Sequence, residues 1–266
     1  MQFDVNPLAL PFEFQGHVYK DISCLLIHSF TASPSEVRAL GIFLRNNGYS
    51  GLAPLLPGHG SHPNELKQVT WLDWYETVRE SLLYLRRNYE NVIIIGVALG
   101  AVLATMLAAS PERDNVTGLV LITPSQHQPS SLIINILPFI KRFKKEFTTD
   151  SDEQIAYDLQ KHANFYYSKR PTTALIELYR VIGFTNKRLP LISQPTLIIH
   201  SEKDQSSTLD VPDFIYNRVK STNKQIFHIE HSGRGFLLAD EALPAFEKIH
   251  EFIQSIKPIT KSEIKS

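Results

Sequence analysis

The stretch NVIIIGVALGAVLA, which runs from Asn91 to Ala104, decides the fold of this chain. Its β-branched start predicts a buried strand, and the small residues at its end predict a helix. Between them, the segment from Gly96 to Gly100 has the spacing of G-x-S-x-G, a sharp turn that exposes a catalytic serine. The middle position is Ala98, which carries no oxygen. The stretch therefore predicts a catalytic turn that lacks its nucleophile.

The composition limits the class of protein. The chain has 266 residues, with 27 Lys plus Arg and 27 Asp plus Glu, so its charge gives no reason to expect nucleic acid as a partner. Cys24 is the only cysteine, which leaves no internal disulfide or thiolate metal cluster and favours a reducing compartment. We find no signal-peptide pattern and no apolar window long enough to span a membrane. We expect a cytoplasmic globular protein without a metal or cofactor.

Short apolar runs alternate with segments of helical periodicity along most of the chain. This alternation is typical of an α/β fold, in which parallel strands covered on both faces are almost wholly apolar. Residues 1–266 are therefore predicted to form a single domain. Buried strands are predicted at Cys24 to Phe30, Val92 to Val97, Gly118 to Pro124 and Pro195 to Ser201, and helices at Ser35 to Asn46, Trp71 to Asn88, Gly100 to Ser110, Pro212 to Lys220 and Glu241 to Ser255.

The alternation breaks between residues 129 and 190, where the pattern is helical and no strand is evident. An insertion of this kind, after a strand that ends at a pocket, is where a lid would lie. We interpret residues 129–190 as a helical lid that packs over its own pocket. The alternative is a basic amphipathic helix that contacts a membrane peripherally. The apolar stripe consists of Ile133, Ile136, Ile140, Phe143 and Phe147, with Lys141, Lys144 and Lys145 among them.

Several motifs together resemble those of α/β hydrolases of the carboxylesterase and monoacylglycerol lipase type. The resemblance covers nearly the whole chain, in the family's order and spacing. It implies the α/β-hydrolase fold, with a mostly parallel central sheet, helices on both faces and an ester-hydrolysing site. The motifs are LLIHSFTASPSEVRAL (25–40), PLLPGHGSHP (54–63), TWLDWYETV (70–78), the GVALG turn, LIIHSEKD (197–204) and EHSGRGFLLAD (230–240).

Enzymes of this type use a Ser nucleophile, a His base and an Asp that orients the His. The resemblance places the nucleophile at Ala98, the Asp at Asp204 and the base at Arg234 of SGRGF. A guanidinium stays protonated at any relevant pH, so Arg234 cannot accept a proton. The chain therefore departs from the family at two triad positions. Because an unpaired, partly buried Asp204 would be costly, we expect an ion pair between Asp204 and Arg234.

Two residues are candidate substitutes for the missing groups. His231 precedes Arg234 by three residues and is considered as a replacement base, although this offset at a strand end turns it to the opposite face. Ser29 occupies the position where the family has Gly, directly after His28. A relocated nucleophile needs a base beside it, and the sequence identifies none for the Ser29 hydroxyl.

The resemblance places the oxyanion hole at two backbone N–H groups, those of Phe30 and Leu99. Neither donor depends on its side chain, so we expect the hole to persist with Ser29 at its edge. His28 and His59 are predicted near the pocket mouth, where a structural hydrogen bond in a turn is the favoured interpretation of each.

These departures favour a non-hydrolytic function. The leading interpretation is a binding protein or pseudoenzyme that holds a small apolar acid, ester or carbonyl compound under the lid. One alternative is a carboxylesterase or monoacylglycerol lipase in an inactive Ser-to-Ala form. Another is a repurposed lyase or cyclase that uses the oxyanion hole. The expected partner is a small acyl ligand, with no nucleic acid and no stable membrane insertion, and the oligomeric state is left open.

Overall fold

The computed structural model describes residues 3–126, 136, 139–140, 142–148, 165–202, 210–230, 237 and 242–256. Its strands follow one another with helices between them, as the alternation of apolar runs predicts. In chain order they are β1 (Phe12–Phe14), β2 (Ile22–Ile27), β3 (Ser50–Ala53), β4 (Asn91–Val97), β5 (Val116–Ile122), β6 (Glu146–Phe147), β7 (Arg170–Pro171), β8 (Thr196–Ser201) and β9 (Lys224–Ile229).

The main sheet has the strand order β1-β3-β2-β4-β5-β8-β9. All neighbours in it are parallel except β1 and β3. In register, Ile27 of β2 lies opposite Gly96 of β4, and Val97 of β4 lies opposite Ile122 of β5. The carboxyl ends of these central strands therefore meet at one edge, which is where ligands bind in parallel sheets.

Helices cover the two faces of the sheet. They are α1 (Arg38–Asn46), α2 (Trp71–Leu85), α3 (Leu99–Ala108), α4 (Thr172–Asn186), α5 (Val211–Tyr216) and α6 (Ala242–Ser255). A capping box fixes the start of α2, because the Asp73 carboxylate accepts the backbone N–H of Thr70 at 2.7 Å. In the part of the chain that the structure describes, no helix has the length and hydropathy of a membrane span.

The alternation of side chains along β2 divides the core into two layers. Leu25 and Ile27 pack in the layer that contains Trp74 and most of the buried residues of α3. Cys24 and Leu26 point to the opposite layer, which contains the buried face of α6. Because both faces are covered, every residue of β2, β4 and β5 is buried. This explains their near-continuous hydrophobicity.

Residues 129–190 differ from the wholly helical pattern that the sequence predicts. β6 pairs with β7 in antiparallel fashion, and α4 begins directly after β7. A two-residue pair has no periodicity for a pattern to reveal, so the prediction of no strand was wrong. Phe143 is 87% exposed and Ile136 is 41% exposed, so these two members of the apolar stripe do not pack on the core. Ile133 lies outside the described residues.

Candidate functional site

The turn between β4 and α3 has the strained geometry of a nucleophile elbow. Ala98 lies at its tip with φ of 48° and ψ of −103°, and it is 2% exposed. The flanking glycines permit the turn. A Cβ on Gly96 would lie 2.2 Å from the carbonyl carbon of Gly100, and a Cβ on Gly100 would lie 2.1 Å from the carbonyl oxygen of Ile27. The sequence therefore forms the elbow completely, with a methyl group where the family carries a hydroxyl.

Backbone strain clusters at the carboxyl edge of the sheet. The non-glycine residues with positive φ in the described chain are Thr31, Ala98 and Thr123, at 67°, 48° and 39°. They follow the ends of β2, β4 and β5, which are adjacent strands. Such conformations cost on the order of 1–3 kcal/mol each and occur preferentially at functional sites. The strain therefore marks this edge as the candidate site.

Two backbone N–H groups at this edge have no acceptor of their own in the described chain, as the donors of an oxyanion hole require. The N–H groups of Phe30 and Leu99 have no hydrogen-bond acceptor within the described residues. Leu99 is the first residue of α3, so its N–H is one of those that a helix leaves unused. The β2 end that precedes Phe30 lies against the elbow, as the close approach of Ile27 to Gly100 shows. Both donors predicted from the sequence thus lie at the same edge.

Ser29 is held by a carboxylate that the sequence analysis did not identify. Oε2 of Glu36 accepts the backbone N–H of Ser29 at 2.7 Å, and Oε1 accepts its hydroxyl at 2.7 Å. Glu36 lies in the short 3-10 helix after β2 and is 8% exposed. A base therefore does lie beside Ser29, contrary to the expectation. However, Ser29 is fully buried with both donors engaged, so we assign the pair to support of the loop that presents Phe30.

His28 is a structural residue of the same loop. Its Nε2 accepts the backbone N–H of Leu56 at 3.1 Å, and its Nδ1 bonds the carbonyl oxygen of Ser29 at 2.9 Å. These partners require a neutral ring with its proton on Nδ1. Burial, followed by the nearby His59, lowers the pKa of His28 well below its ordinary value. Its ring nitrogens are therefore not available to a ligand.

His59 is neutral as well, but one of its nitrogens has no partner. Nδ1 donates to the carbonyl oxygen of Pro57 at 3.0 Å, while Nε2 is buried without a hydrogen bond. Burial lowers the pKa of His59 to about 4. Its ring is 6.0 Å from those of Phe30 and Trp74, measured between centroids. An acceptor nitrogen thus lies among the aromatic rings next to the oxyanion loop.

Tyr167 joins the chain after β6 to this loop, which the sequence did not predict. Its backbone N–H donates to the carbonyl oxygen of Thr31 at 2.8 Å. Its Oη accepts the N–H of Ser61 at 2.7 Å and donates to the carbonyl oxygen of Gly58 at 3.3 Å. Tyr167 therefore fixes the strained Thr31 and the PGHG turn with respect to each other. No motif signalled this role, because the contacts span more than a hundred residues of sequence.

The remaining predicted residues are Asp204, Arg234 and His231, and all three lie outside the described residues. β8 and β9, which precede them, are paired up to Ser201 and Ile229 at the same carboxyl edge. The ion pair between Asp204 and Arg234 therefore stays a prediction. In the residues that the structure describes, no group of His, Cys, Asp and Glu side chains is arranged to hold a metal ion.

Comparisons with known proteins agree with this geometry. The chain is 28% identical over 249 residues to a carboxylesterase of Bacillus subtilis (strain 168), covering 92% of this chain and 96% of the relative. It is 26% identical over 212 residues to a thermostable monoacylglycerol lipase of Bacillus sp. (strain H-257), covering 79% and 82%. A solved structure from work on two metagenome-derived lipolytic enzymes superposes with a TM-score of 0.84 at 25% identity, covering 94% of this chain and 99% of the other.

The fold of the chain is thus that of an esterase- or lipase-like α/β hydrolase. The model of the family described as serine aminopeptidase, S33, matches residues 20–233, well over half of the chain. This match spans the loop after β2, the elbow between β4 and α3, and strands β8 and β9. The chain belongs to the serine aminopeptidase S33 family of α/β hydrolases.

Proposed function

We propose that this protein binds an acyl ligand through a carbonyl or carboxylate oxygen at the elbow and does not hydrolyse it as an ester. The observation that carries the proposal is a fully formed, strained elbow with a methyl side chain at its tip, Ala98. Serine-type hydrolysis needs an oxygen at this tip, whereas binding of a ligand oxygen to the N–H groups does not.

The backbone donors support an oxygen ligand. The N–H groups of Phe30 and Leu99 have no acceptor within the described chain, and an orphaned buried donor costs about 1–3 kcal/mol. A carbonyl or carboxylate oxygen would satisfy both. The names of the relatives, carboxylesterase and monoacylglycerol lipase, support an acyl compound as the ligand class. At the base position, Arg234 supplies a permanent cation in place of a base, which favours an acid or a polarised carbonyl compound.

Hydrolysis and binding of one compound test the proposal. With p-nitrophenyl butyrate, we expect saturable binding of the intact ester in saturation-transfer NMR, and no p-nitrophenol release above the buffer rate. With a ¹³C-carbonyl butyrate ester, we expect the bound carbonyl stretch to move to lower wavenumber, because donated hydrogen bonds weaken the C=O bond. Saturable turnover would overturn the proposal, and so would the absence of saturable binding.

A second candidate is a carboxylesterase or monoacylglycerol lipase in an inactive form. The observation that favours it is the strained conformation of Ala98, which costs on the order of 1–3 kcal/mol. A methyl group at the tip of the turn gains nothing from this strain, whereas a serine hydroxyl would. Under this reading the machinery is complete except at positions 98 and 234. The two candidates differ in whether restoring those two groups restores turnover.

A further inference from the structure

A cavity away from the elbow lies between Phe139, Arg142, Phe143 and Lys145 on one side and the start of α4 on the other. Its volume is about 1060 Å³, at the upper end of the range that holds single small molecules. Three of its described lining residues are cations, Lys67, Arg142 and Lys145, and none is acidic. The described lining does not include Phe30, Ala98 or Leu99, so the cavity is separate from the oxyanion donors. We call it the cap cavity.

The cations of the cap cavity are not neutralised by the described carboxylates nearby. Glu146 pairs with Lys169 at 3.1 Å and Glu177 with Arg180 at 2.5 Å. Within the described residues, neither Arg142 nor Lys145 has an ion-pair partner. The positive charge of the cavity is therefore available to a ligand.

Apolar and hydroxyl groups complete the lining. Phe139 and Phe143 contribute rings that are 72% and 87% exposed, a large apolar area to leave in water. Thr173, in the first turn of α4, has a buried hydroxyl oxygen that finds no hydrogen-bond partner among the described residues. The described lining thus combines three cations, two aromatic rings and an unused hydroxyl. These groups match a molecule with one anionic end and an apolar chain.

We propose that the cap cavity binds the carboxylate of a medium- or long-chain fatty acid. The carboxylate pairs with Arg142 and Lys145, Lys67 adds a further cation to the lining, and the chain packs on Phe139 and Phe143. A concave site of this volume fits one chain, whereas a flat basic surface would fit a membrane. The site does not require ligand binding at the elbow.

Calorimetric titration with dodecanoate below its micelle concentration tests the charge requirement. We expect dodecanoate to bind and 1-dodecanol to bind at least tenfold more weakly. The variant Arg142→Gln/Lys145→Gln should weaken dodecanoate binding roughly twofold to thirtyfold, since each exposed ion pair is worth about 0.2–1 kcal/mol. Added salt should weaken it as well. The matched control Arg87→Gln/Lys187→Gln removes the same charge from exposed sites elsewhere and should bind like the parent.

A fatty acid that carries a diazirine on its chain tests the location. After irradiation, we expect labelled peptides to include Phe139 or Phe143 and not the segment 96–100. Labelling confined to 96–100 would overturn the proposal while leaving elbow binding intact. Equal binding of dodecanol and dodecanoate would also overturn it. So would binding to anionic phosphatidylglycerol vesicles without binding to monomeric dodecanoate, which would identify a membrane surface instead.

Discussion

Glu36 holds Ser29 by both of its carboxylate oxygens, one on the backbone N–H and one on the hydroxyl, each at 2.7 Å. Hydrogen bonds to a charged group are stronger than those between neutral groups, and these two act on the residue directly before Phe30, whose N–H we propose as an oxyanion donor. The N–H of Phe30 is thereby fixed in direction before any ligand arrives. Preorganised donors of this kind are what makes an oxyanion hole effective.

Replacing Glu36 by Gln should destabilise the fold by about 1–3 kcal/mol. The amide oxygen of Gln can accept the backbone N–H of Ser29, and its NH₂ group can donate to the Ser29 hydroxyl oxygen. The hydroxyl hydrogen then loses its acceptor, and neither bond is any longer to a charged group. Urea unfolding, compared at constant m-value, measures the effect. The control is Glu80→Gln on the exposed side of α2, which should change the free energy of unfolding by less than about 0.5 kcal/mol.

Ser29→Ala separates the two bonds, because it removes the hydroxyl and leaves the backbone N–H on Glu36. We expect a smaller loss of stability than for Glu36→Gln, since Ser29→Ala removes one charge-assisted bond and keeps the other, whereas Glu36→Gln removes the charge from both. If Ser29→Ala were the more destabilising of the two, the assignment of Glu36 as the support of this loop would be wrong.

Ala98→Gly should stabilise the protein by less than about 1 kcal/mol. Glycine adopts positive φ without the steric penalty that alanine carries, which releases on the order of 1–3 kcal/mol of strain. The added flexibility of the unfolded chain subtracts roughly 0.4–1 kcal/mol from this gain, and the lost burial of one methyl group subtracts about 0.8 kcal/mol. Thermal and urea unfolding of the variant measure the balance.

The matched control for this prediction is Ala101→Gly, also buried and only three residues further along the chain. Ala101 lies inside α3, where glycine costs about 1 kcal/mol. Each substitution removes one buried methyl group. Opposite changes in the free energy of unfolding would therefore isolate the backbone strain at position 98. A destabilising Ala98→Gly would mean that the turn is not strained as described.

The elbow was predictable from the sequence because its determinants are local. A β-branched strand, two glycines at fixed spacing and a helix of small residues specify the turn, and the alternation of apolar runs with helical segments predicts parallel strands. The role of Glu36 is not evident from the sequence, because it depends on how the loop folds to bring Glu36 back to Ser29, seven residues earlier. Tyr167 was missed because it depends on packing between distant segments.

Two strands, β3 and β9, are not evident from the sequence because of their composition. β3 reads SGLA, which has three small residues and little β-propensity, and β9 reads KQIFHI, which is partly exposed. These strands form because the sheet next to them offers hydrogen-bond partners. In residues 129–190 the helical spacing of apolar residues was interpreted as a buried face, yet Phe143 is almost fully exposed. Periodicity predicts that a helix has an apolar side, but it does not identify what covers that side.

The stability of the protein should fall on mild acidification because of His59. Burial lowers the pKa of this imidazole to about 4, below the ordinary value of 6.5, so the unfolded chain binds the extra proton first. The stabilisation that comes from keeping His59 neutral is nearly complete above pH 6.5, and it is lost progressively as the pH falls towards 4. Between pH 7.5 and pH 5 the loss from this one group is about 2 kcal/mol.

His59→Asn removes this titration and keeps an N–H for the carbonyl oxygen of Pro57. We therefore expect a shallower decrease in the free energy of unfolding between pH 7.5 and pH 5 than in the parent, whatever the stability at pH 7.5. The pKa of the buried His28 is lowered as well, so this residue also destabilises the fold as the pH falls. Part of the pH dependence therefore remains in His59→Asn. The exposed His17→Asn, which removes an imidazole away from this site, is measured in parallel as the control. An unchanged slope in His59→Asn would contradict the assignment of a neutral, buried imidazole.

Restoring two groups at the elbow separates the two candidate functions. A serine hydroxyl at position 98 is a poor nucleophile without an imidazole to accept its proton, and an imidazole at position 234 has no hydroxyl to act on. In a serine protease, loss of either group costs about as much as loss of the whole triad, roughly 10⁶-fold in rate. The effects are therefore strongly non-additive. Ala98→Ser and Arg234→His alone should each stay near the parent's background rate.

The double variant Ala98→Ser/Arg234→His should hydrolyse p-nitrophenyl butyrate well above that background and react with a serine-directed phosphonate. The matched control is Ala98→Ser/Arg234→Gln, which removes the guanidinium without supplying a base and should remain inactive. Equal rates in the two double variants would show that Arg234 only blocks the site. A folded but inactive Ala98→Ser/Arg234→His variant, with the parent's melting temperature, would rule out an otherwise complete esterase. That outcome would leave binding through the N–H groups of Phe30 and Leu99 as the use of the strained turn, because those donors do not depend on either substituted side chain.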